Sequence, residues 1–213
     1  MTEPASGEPL VDFLGDMRRM RAECDWKRGQ THRSLARYLL EEVHETLEVL
    51  DAWDERPDPA HLCEELGDLL LQVYFHAVIA EESGDFTLDD VARGIITKMH
   101  RRNPHVFGDE GAAGADTRGA TEINEQWQAI KAAEKPRTSP DDGLPPGLPA
   151  LLLADKVLDR RERATGRPDR PDRPTGDDLG DRLLALVAEA RSTGVDPEQA
   201  LRDAVRRLVE QAP

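Results

Sequence analysis

Apolar residues recur through the first hundred positions at intervals of three and four, the spacing that gathers them on one face of a helix. Leu10, Phe13, Leu14, Met17 and Met20 predict a first helix from Leu10 to about Glu23. Thr31 or Ser34 can cap a second, which runs to about Glu55, where "RPDP" must break it. A third starts near Asp58 or Pro59 and continues to about Ser83, with Gly84 placed as a C-terminal stop. Thr87, with Asp90 three residues on, resembles a capping box for a fourth helix that cannot easily pass Asn103, because Pro104 follows. Four helices joined by short loops form one compact bundle.

Beyond Gly108 the pattern loosens. "NPHVFGDEGAAGADTRGA" turns small and polar and reads as a linker. Thr121 to about Lys135 is an amphipathic helix with Ile123, Trp127 and Ile130 on one side, followed by "PRTSPDDGLPPGLP". Leu148 to Ala164 is helical again, "TGRPDRPDRPTGDD" is too rich in proline for anything but an extended linker, and two helices at Leu179–Arg191 and Pro197–Glu210 close the chain. No run of alternating Val, Ile and Thr reads as strand, so the expected class is all-α. The expected organisation is a flexible N-terminus at 1–9, a bundle at 10–108, a linker with one amphipathic helix at 109–147 and a helical C-terminal piece at 148–213.

A chain of 213 residues buries a core without staples. Its formal charge of −15 opposes an extended nucleic-acid surface, though a local cationic cluster can still hold a small phosphorylated ligand. Cys24 and Cys63 have no metal-type spacing and "MTEPASGEPL" is not a leader, so a reduced, cytoplasmic protein is expected. No apolar run approaches the roughly 18 residues of a membrane span.

The acids change the picture more. On the second helix Leu39, Leu40, Val43, Leu47 and Leu50 gather on one side and Glu41, Glu42, Glu45 and Glu48 on the other, which alone is an ordinary solvated face. The third helix, however, is apolar almost all round from Leu66 to Ala80, so burial is expected, and Glu65, Asp68, Gln72 and His76 form one narrow polar seam along it. If the acids of the second helix face that seam, four or more carboxylates converge. Two carboxylates about 5 Å apart repel by roughly 3 kcal/mol at an effective dielectric near 20, whereas exposed neighbours on one helix cost a few tenths. Convergence therefore needs cations, and hard oxygen ligands select Mg2+ or Mn2+. Lys98, Arg101 and Arg102, with His105 beyond the break, either complement the helix dipole or bind phosphate oxygens. Carboxylates, a divalent cation and these side chains together are the parts of metal-assisted phosphoryl chemistry.

The spacing Glu41-Glu42-Val43-His44-Glu45 followed by Glu65-Leu66-Gly67-Asp68 resembles the EExxE and ExxD pattern of the MazG-type nucleoside triphosphate pyrophosphohydrolases, an all-α superfamily. "QTHRSLARYLLEE", "EELGDLLLQVYFHAVIAEE", "FTLDDV" and "KMHRRNPHVFG" agree with it in order and spacing. The resemblance implies Mg2+, with Mn2+ as substitute, ligated by Glu42, Glu45, Glu65 and Asp68. Glu41 would lie in or beside that shell and orient the attacking water, with Glu41, Glu42 and Glu45 as catalytic residues. Lys98, Arg101 and Arg102 would hold the triphosphate. Trp26 stands where relatives show CPWD, but here the segment reads Cys24-Asp25-Trp26-Lys27. It either stacks on a base or packs at a helix end. The implied reaction is hydrolysis of an NTP or dNTP to monophosphate and pyrophosphate, a housecleaning of nucleotide pools. Glu41-Glu42-Val43-His44 is also an ExxH element, but a di-iron site needs a second one and none follows, so His44 and His76 are not expected as ligands.

Relatives of this type often carry two copies of the bundle. "DDLGDRLL" at 177–184 weakly repeats "EELGDLLL" at 64–71, while nothing corresponding to EExxE precedes it. A degenerate C-terminal repeat and one metal site per chain are therefore expected, together with a homodimer or dimer of dimers built by the bundles. The competing class is a non-catalytic acidic interaction module.

Overall fold

The computed structural model describes residues 7–108, 119–134, 138–166 and 178–211, and every regular element among them is helical. The expected linkers across 109–118 and 167–177, the N-terminal residues 1–6 and the start of the proline-rich stretch at 135–137 lie outside the described residues. The chain divides into two compact units, Met1–Ala133 and Glu134–Pro213. The first holds α1 (Pro9–Glu23), α2 (Asp25–Arg28), α3 (His32–Asp51), α4 (Pro59–Ser83), α5 (Leu88–Arg102), α6 (Pro104–Phe107) and α7 (Ala120–Ala133). The second holds α8 (Ala150–Thr165), α9 (Leu179–Ser192) and α10 (Pro197–Glu210). The amphipathic helix expected in the linker is thus α7, which packs on α5 within the first unit.

Local chemistry sets the helix ends. Thr31 and Ser34 cap α3 jointly: the Thr31 side chain accepts from the Ser34 N–H at 3.2 Å and Ser34 Oγ accepts from the Thr31 N–H at 2.9 Å. Thr87 and Asp90 make the same reciprocal box on α5. Asp58 caps α4 by accepting from the His61 N–H, with Pro59 at the first helical position, where its missing N–H costs nothing. At the other end Gly84 adopts φ 73°, and the Gly84 and Asp85 N–H groups reach back to the carbonyls of Glu81 and Ala80, a left-handed stop that glycine makes without a Cβ penalty.

The core is asymmetric along α4. Met17, Leu35, Tyr74, Phe75, Val78 and Ile79 form its buried centre, with Phe13, Leu14, Met20, Tyr38, Leu71 and Leu88 packed against it. All of these contacts fall on the C-terminal half of α4. The reason is the placement of α1, which runs parallel to that half: the Tyr74 hydroxyl donates to the Leu10 carbonyl at 3.0 Å, Arg18 pairs with Glu81 at 2.9 Å, and Arg21 with Glu82 at 2.5 Å. Arg21 is buried, and its guanidinium also donates to the carbonyls of Lys27, Arg28 and Gln30, so one side chain ties α1, the α2 turn and the end of α4 together. Leu66, Leu70 and Val73, farther toward the N-terminus, are exposed, so the expected burial all round from Leu66 holds only beyond Tyr74.

Helix α3 lies antiparallel to α4, and it too is turned differently from its hydrophobic pattern. Leu35, Thr46 and Val49 are buried, Glu42 is half-buried, and Leu39, Leu40, Val43 and Leu50 are exposed. Polar seam meets polar seam at this contact. Thr46 avoids a desolvation penalty by donating to the Glu42 carbonyl at 2.8 Å. Beyond the acids, His32 Nδ1 and His76 Nδ1 lie 2.7 Å apart with the ring planes 1° from parallel and centroids 5.1 Å apart. Those values describe two rings meeting nitrogen to nitrogen in one plane, as a hydrogen bond between imidazoles requires. One of the two Nδ1 atoms must therefore be an acceptor. His76 is the hydrogen-bonded histidine expected from its place in the seam.

The second unit packs α8, α9 and α10 around Leu158 and Val187. Arg191 of α9 binds Asp155, Asp159 and Glu162 of α8 at 2.6, 3.3 and 3.2 Å. Asp178 stands outside α9 as its N-cap, accepting from the Gly180 N–H at 2.8 Å.

Burial first, and the neighbouring His32 second, hold His76 below its ordinary value of 6.5. The unfolded chain therefore takes up more protons than the folded one once the pH falls below about 6.5. Stability from neutral His76 is present above that value and is lost as the pH drops toward the depressed one. Thermal melting against pH in metal-free protein is expected to fall more steeply below pH 6.5 for the wild type than for His76→Gln; parallel curves would contradict the assignment.

Candidate functional site

Two pairs of acids, each one helical turn apart, face one another across the α3–α4 contact: Glu42 and Glu45 on α3, Glu65 and Asp68 on α4. Ligand oxygens of Glu42, Glu45 and Glu65 all lie within 4.8 Å of one another. Glu65 is only 8% exposed, which an ordinary solvated acidic surface would not require. Asp68 stands beside this trio, and after burial it is the largest influence raising the Glu42 carboxyl above its ordinary value, followed by Glu45 and Glu65. Carboxylates at such separations repel by about 3 kcal/mol per pair before solvent screening.

Two neutral or basic side chains border the acids. His61, one turn before Glu65, places Nε2 3.0 Å from Glu65 Oε1. Gln72, one turn after Asp68, directs Nε2 at Glu42 Oε1 at 3.5 Å, a long contact, and its own Oε1 is buried with no partner. The role of His61 was not read from the sequence, although its i,i+4 spacing to Glu65 was visible there.

The other expected site residues are not drawn into this cluster. Glu41 turns to Arg37 at 3.4 Å and is exposed. His44 is exposed as well. Trp26 is 54% exposed, lies edge-on to Tyr38 with centroids 6.2 Å apart, and has Lys27 Nζ 5.6 Å from its ring. It sits at the surface rather than packing deeply at the end of a helix. Lys98 and Arg101 are exposed on α5, while the Arg102 guanidinium lies 5.0 Å from the Trp127 ring of α7.

An all-oxygen donor set with accumulated negative charge, a partly desolvated acid of raised proton affinity and an orphaned buried carbonyl at its edge fits a hard divalent cation. Without a cation the same arrangement is strained. In metal-free protein Glu42→Gln is expected to melt at a higher temperature than the wild type at neutral pH. The raised value of Glu42 makes the folded state bind the extra proton, so its penalty grows as the pH rises above about 4.5 and vanishes below it. Equal melting curves at neutral pH would remove Glu42 from the strained cluster.

A family model described as the MazG nucleotide pyrophosphohydrolase domain matches residues 30–107, which contain all four acids. An uncharacterised 26.1 kDa protein of Streptomyces cacaoi is 44% identical over 201 residues, covering 93% of this chain and 78% of the relative. The nucleoside triphosphate pyrophosphohydrolase/pyrophosphatase MazG of Thermotoga maritima is 37% identical over 224 residues, covering 95% and 82%. The nucleoside triphosphate pyrophosphohydrolase of Escherichia coli is 36% identical over 190 residues, covering 88% and 68%.

Proposed function

The chain belongs to the MazG nucleotide pyrophosphohydrolase family, and from that premise we propose that it hydrolyses nucleoside or deoxynucleoside triphosphates to monophosphate and pyrophosphate with Mg2+, Mn2+ serving as substitute. The observation that carries the reading is the convergence of Glu42, Glu45 and Glu65 from two antiparallel helices within 4.8 Å, with Asp68 beside them. Glu42, Glu45, Glu65 and Asp68 would hold the ion, which when bound neutralises phosphate charge and makes water a better nucleophile. Glu42 and Glu45 act through the ion they would hold, and Glu41, next in sequence but turned to Arg37, reaches the attacking water after a change of rotamer. Lys98 and Arg101 bind phosphate oxygens; Arg102 does so in competition with its contact to Trp127. Exposed Trp26 offers a face to a base.

We also propose that residues 10–108 are the catalytic domain, that 148–213 is a catalytically silent remnant of a second repeat, and that the setting is cytoplasmic clearance of nucleotide pools. Among the described residues no helix is long and apolar enough to cross a membrane. Exposed Leu40, Val43 and Leu50 on α3 and Leu66, Leu70 and Val73 on α4 support a homodimer, or a dimer of dimers, that covers them. Sedimentation velocity is expected to show a dimer or tetramer, shifted toward monomer by Leu40→Glu; a fully active monomer would contradict this.

Product analysis on a panel of NTPs and dNTPs tests the reaction: monophosphate and pyrophosphate support it, and diphosphate with orthophosphate sinks it. Glu42→Gln, Glu45→Gln, Glu65→Gln and Asp68→Asn are each expected to lower turnover at least a hundredfold, about 2.7 kcal/mol in barrier. Asp178→Asn and Asp181→Asn should leave it within about twofold, roughly 0.4 kcal/mol. No turnover of any nucleotide with Mg2+ or Mn2+ would favour the acidic interaction module instead.

A further inference from the structure

Gln72 is the one member of the α4 seam whose chemistry the acids do not explain. It is 4% exposed, sits one turn beyond Asp68, and is followed one turn later by His76, whose Nδ1 is already engaged with His32. Its Nε2 points to Glu42 Oε1 at 3.5 Å, and its Oε1 is buried without a partner. Reversing the amide would set its oxygen against a carboxylate oxygen, two acceptors face to face, so an ionised Glu42 selects the orientation seen. An ionised carboxylate has no hydrogen to give, so no acid of the cluster can satisfy Gln72 Oε1 while it remains a cation ligand. A group that donates is required. Water held by a small divalent cation has that property, and Mg2+ characteristically keeps several of its waters when protein carboxylates bind it.

We propose that Gln72 is a positioning residue of the acid site: its amide N–H orients the Glu42 side chain, and its carbonyl oxygen accepts a hydrogen bond from a water in the hydration shell of the bound cation. The inference rests on the metal-site reading given above. Gln72 makes no bond to the ion. It orients one ligand and one water, the kind of outer support whose removal typically costs 10- to 100-fold in metal affinity. The orphaned carbonyl is then a cost borne by the metal-free fold and relieved on binding.

Two quantities separate this role from simple packing: Mn2+ affinity, read by electron paramagnetic resonance titration of the full chain, and the melting temperature of metal-free protein. Gln72→Met fills the same space with neither donor nor acceptor. It is expected to bind Mn2+ about tenfold more weakly while melting no lower than the wild type without metal. Mn2+ affinity within twofold of the wild type in folded Gln72→Met overturns the proposal. If Gln72→Met does not fold, Gln72→Asn decides, since it keeps both amide atoms but withdraws them by one methylene from Glu42 and the cation's water. Mn2+ binding at least about fivefold weaker than the wild type supports the proposal, and unchanged or tighter binding overturns it. Wild-type protein that binds no Mn2+ at all contradicts the metal site itself, a result distinct from a failure of Gln72 alone.

Discussion

Bringing negative charges together between two helices is the constraint on which the rest of the first unit depends. At the separations seen, an ionised Glu42 or Glu45 facing an ionised Glu65 opposes the α3–α4 contact by about 3 kcal/mol, comparable to the roughly 1.5–3 kcal/mol contributed by burying one large apolar side chain. Ionised carboxylates at the acidic end of the hairpin therefore do not hold it closed. The opposite end does so, through Met17, Leu35, Tyr74, Phe75, Val78 and Ile79, and through Arg21 with its bonds to Glu82 and three backbone carbonyls. His32 and His76 join the two regions, one hydrogen bond beyond the acids.

Helix α4 carries this division along its length. At 25 residues it spans about 37 Å. Its C-terminal half is a conventional buried rod beneath α1, and its N-terminal half serves as a platform for Glu65, Asp68 and Gln72. The apolar residues left outside that platform, Leu66, Leu70 and Val73, match the leucines that α3 leaves outside on its own far side. A helix pair that turns its polar seams toward each other must expose its apolar backs. The same geometry that concentrates charge for a cation thus creates a surface suited to another protein layer.

The contrast with the second unit shows how little separates a site from a cap. Asp178 and Asp181 keep the spacing of Glu65 and Asp68, but Asp178 lies before the first turn of α9 and spends its carboxylate on the Gly180 N–H. Glu65 lies well inside α4, where its backbone is already satisfied and its side chain is available to the seam. Position relative to the helix start, rather than the motif itself, separates a candidate ligand from a structural acid.

The eight longer helices, most of their ends and the identity of the seam were legible in the sequence, because caps, prolines, Gly84 and the three-four spacing of apolar residues act over a few positions and need no partner; the short α2 and α6 were not expected. Pro197–Glu210 coincides with its expected range, and Thr31, Asp58 and Thr87 announce their helices through local hydrogen bonds. The rotation of α3 was not legible. Its strongest apolar stripe, Leu39, Leu40, Val43 and Leu50, argues for the inside on any single-helix reckoning, yet lies exposed. Nor could the sequence show that Glu41 turns to Arg37, that His61 meets Glu65, or that Gln72 retains an unpartnered oxygen. These depend on which helix covers which face and on angles between helices far apart in sequence. Local periodicity records how side chains are arranged around one axis, whereas their burial and electrostatic environment arise only when a second axis is brought alongside.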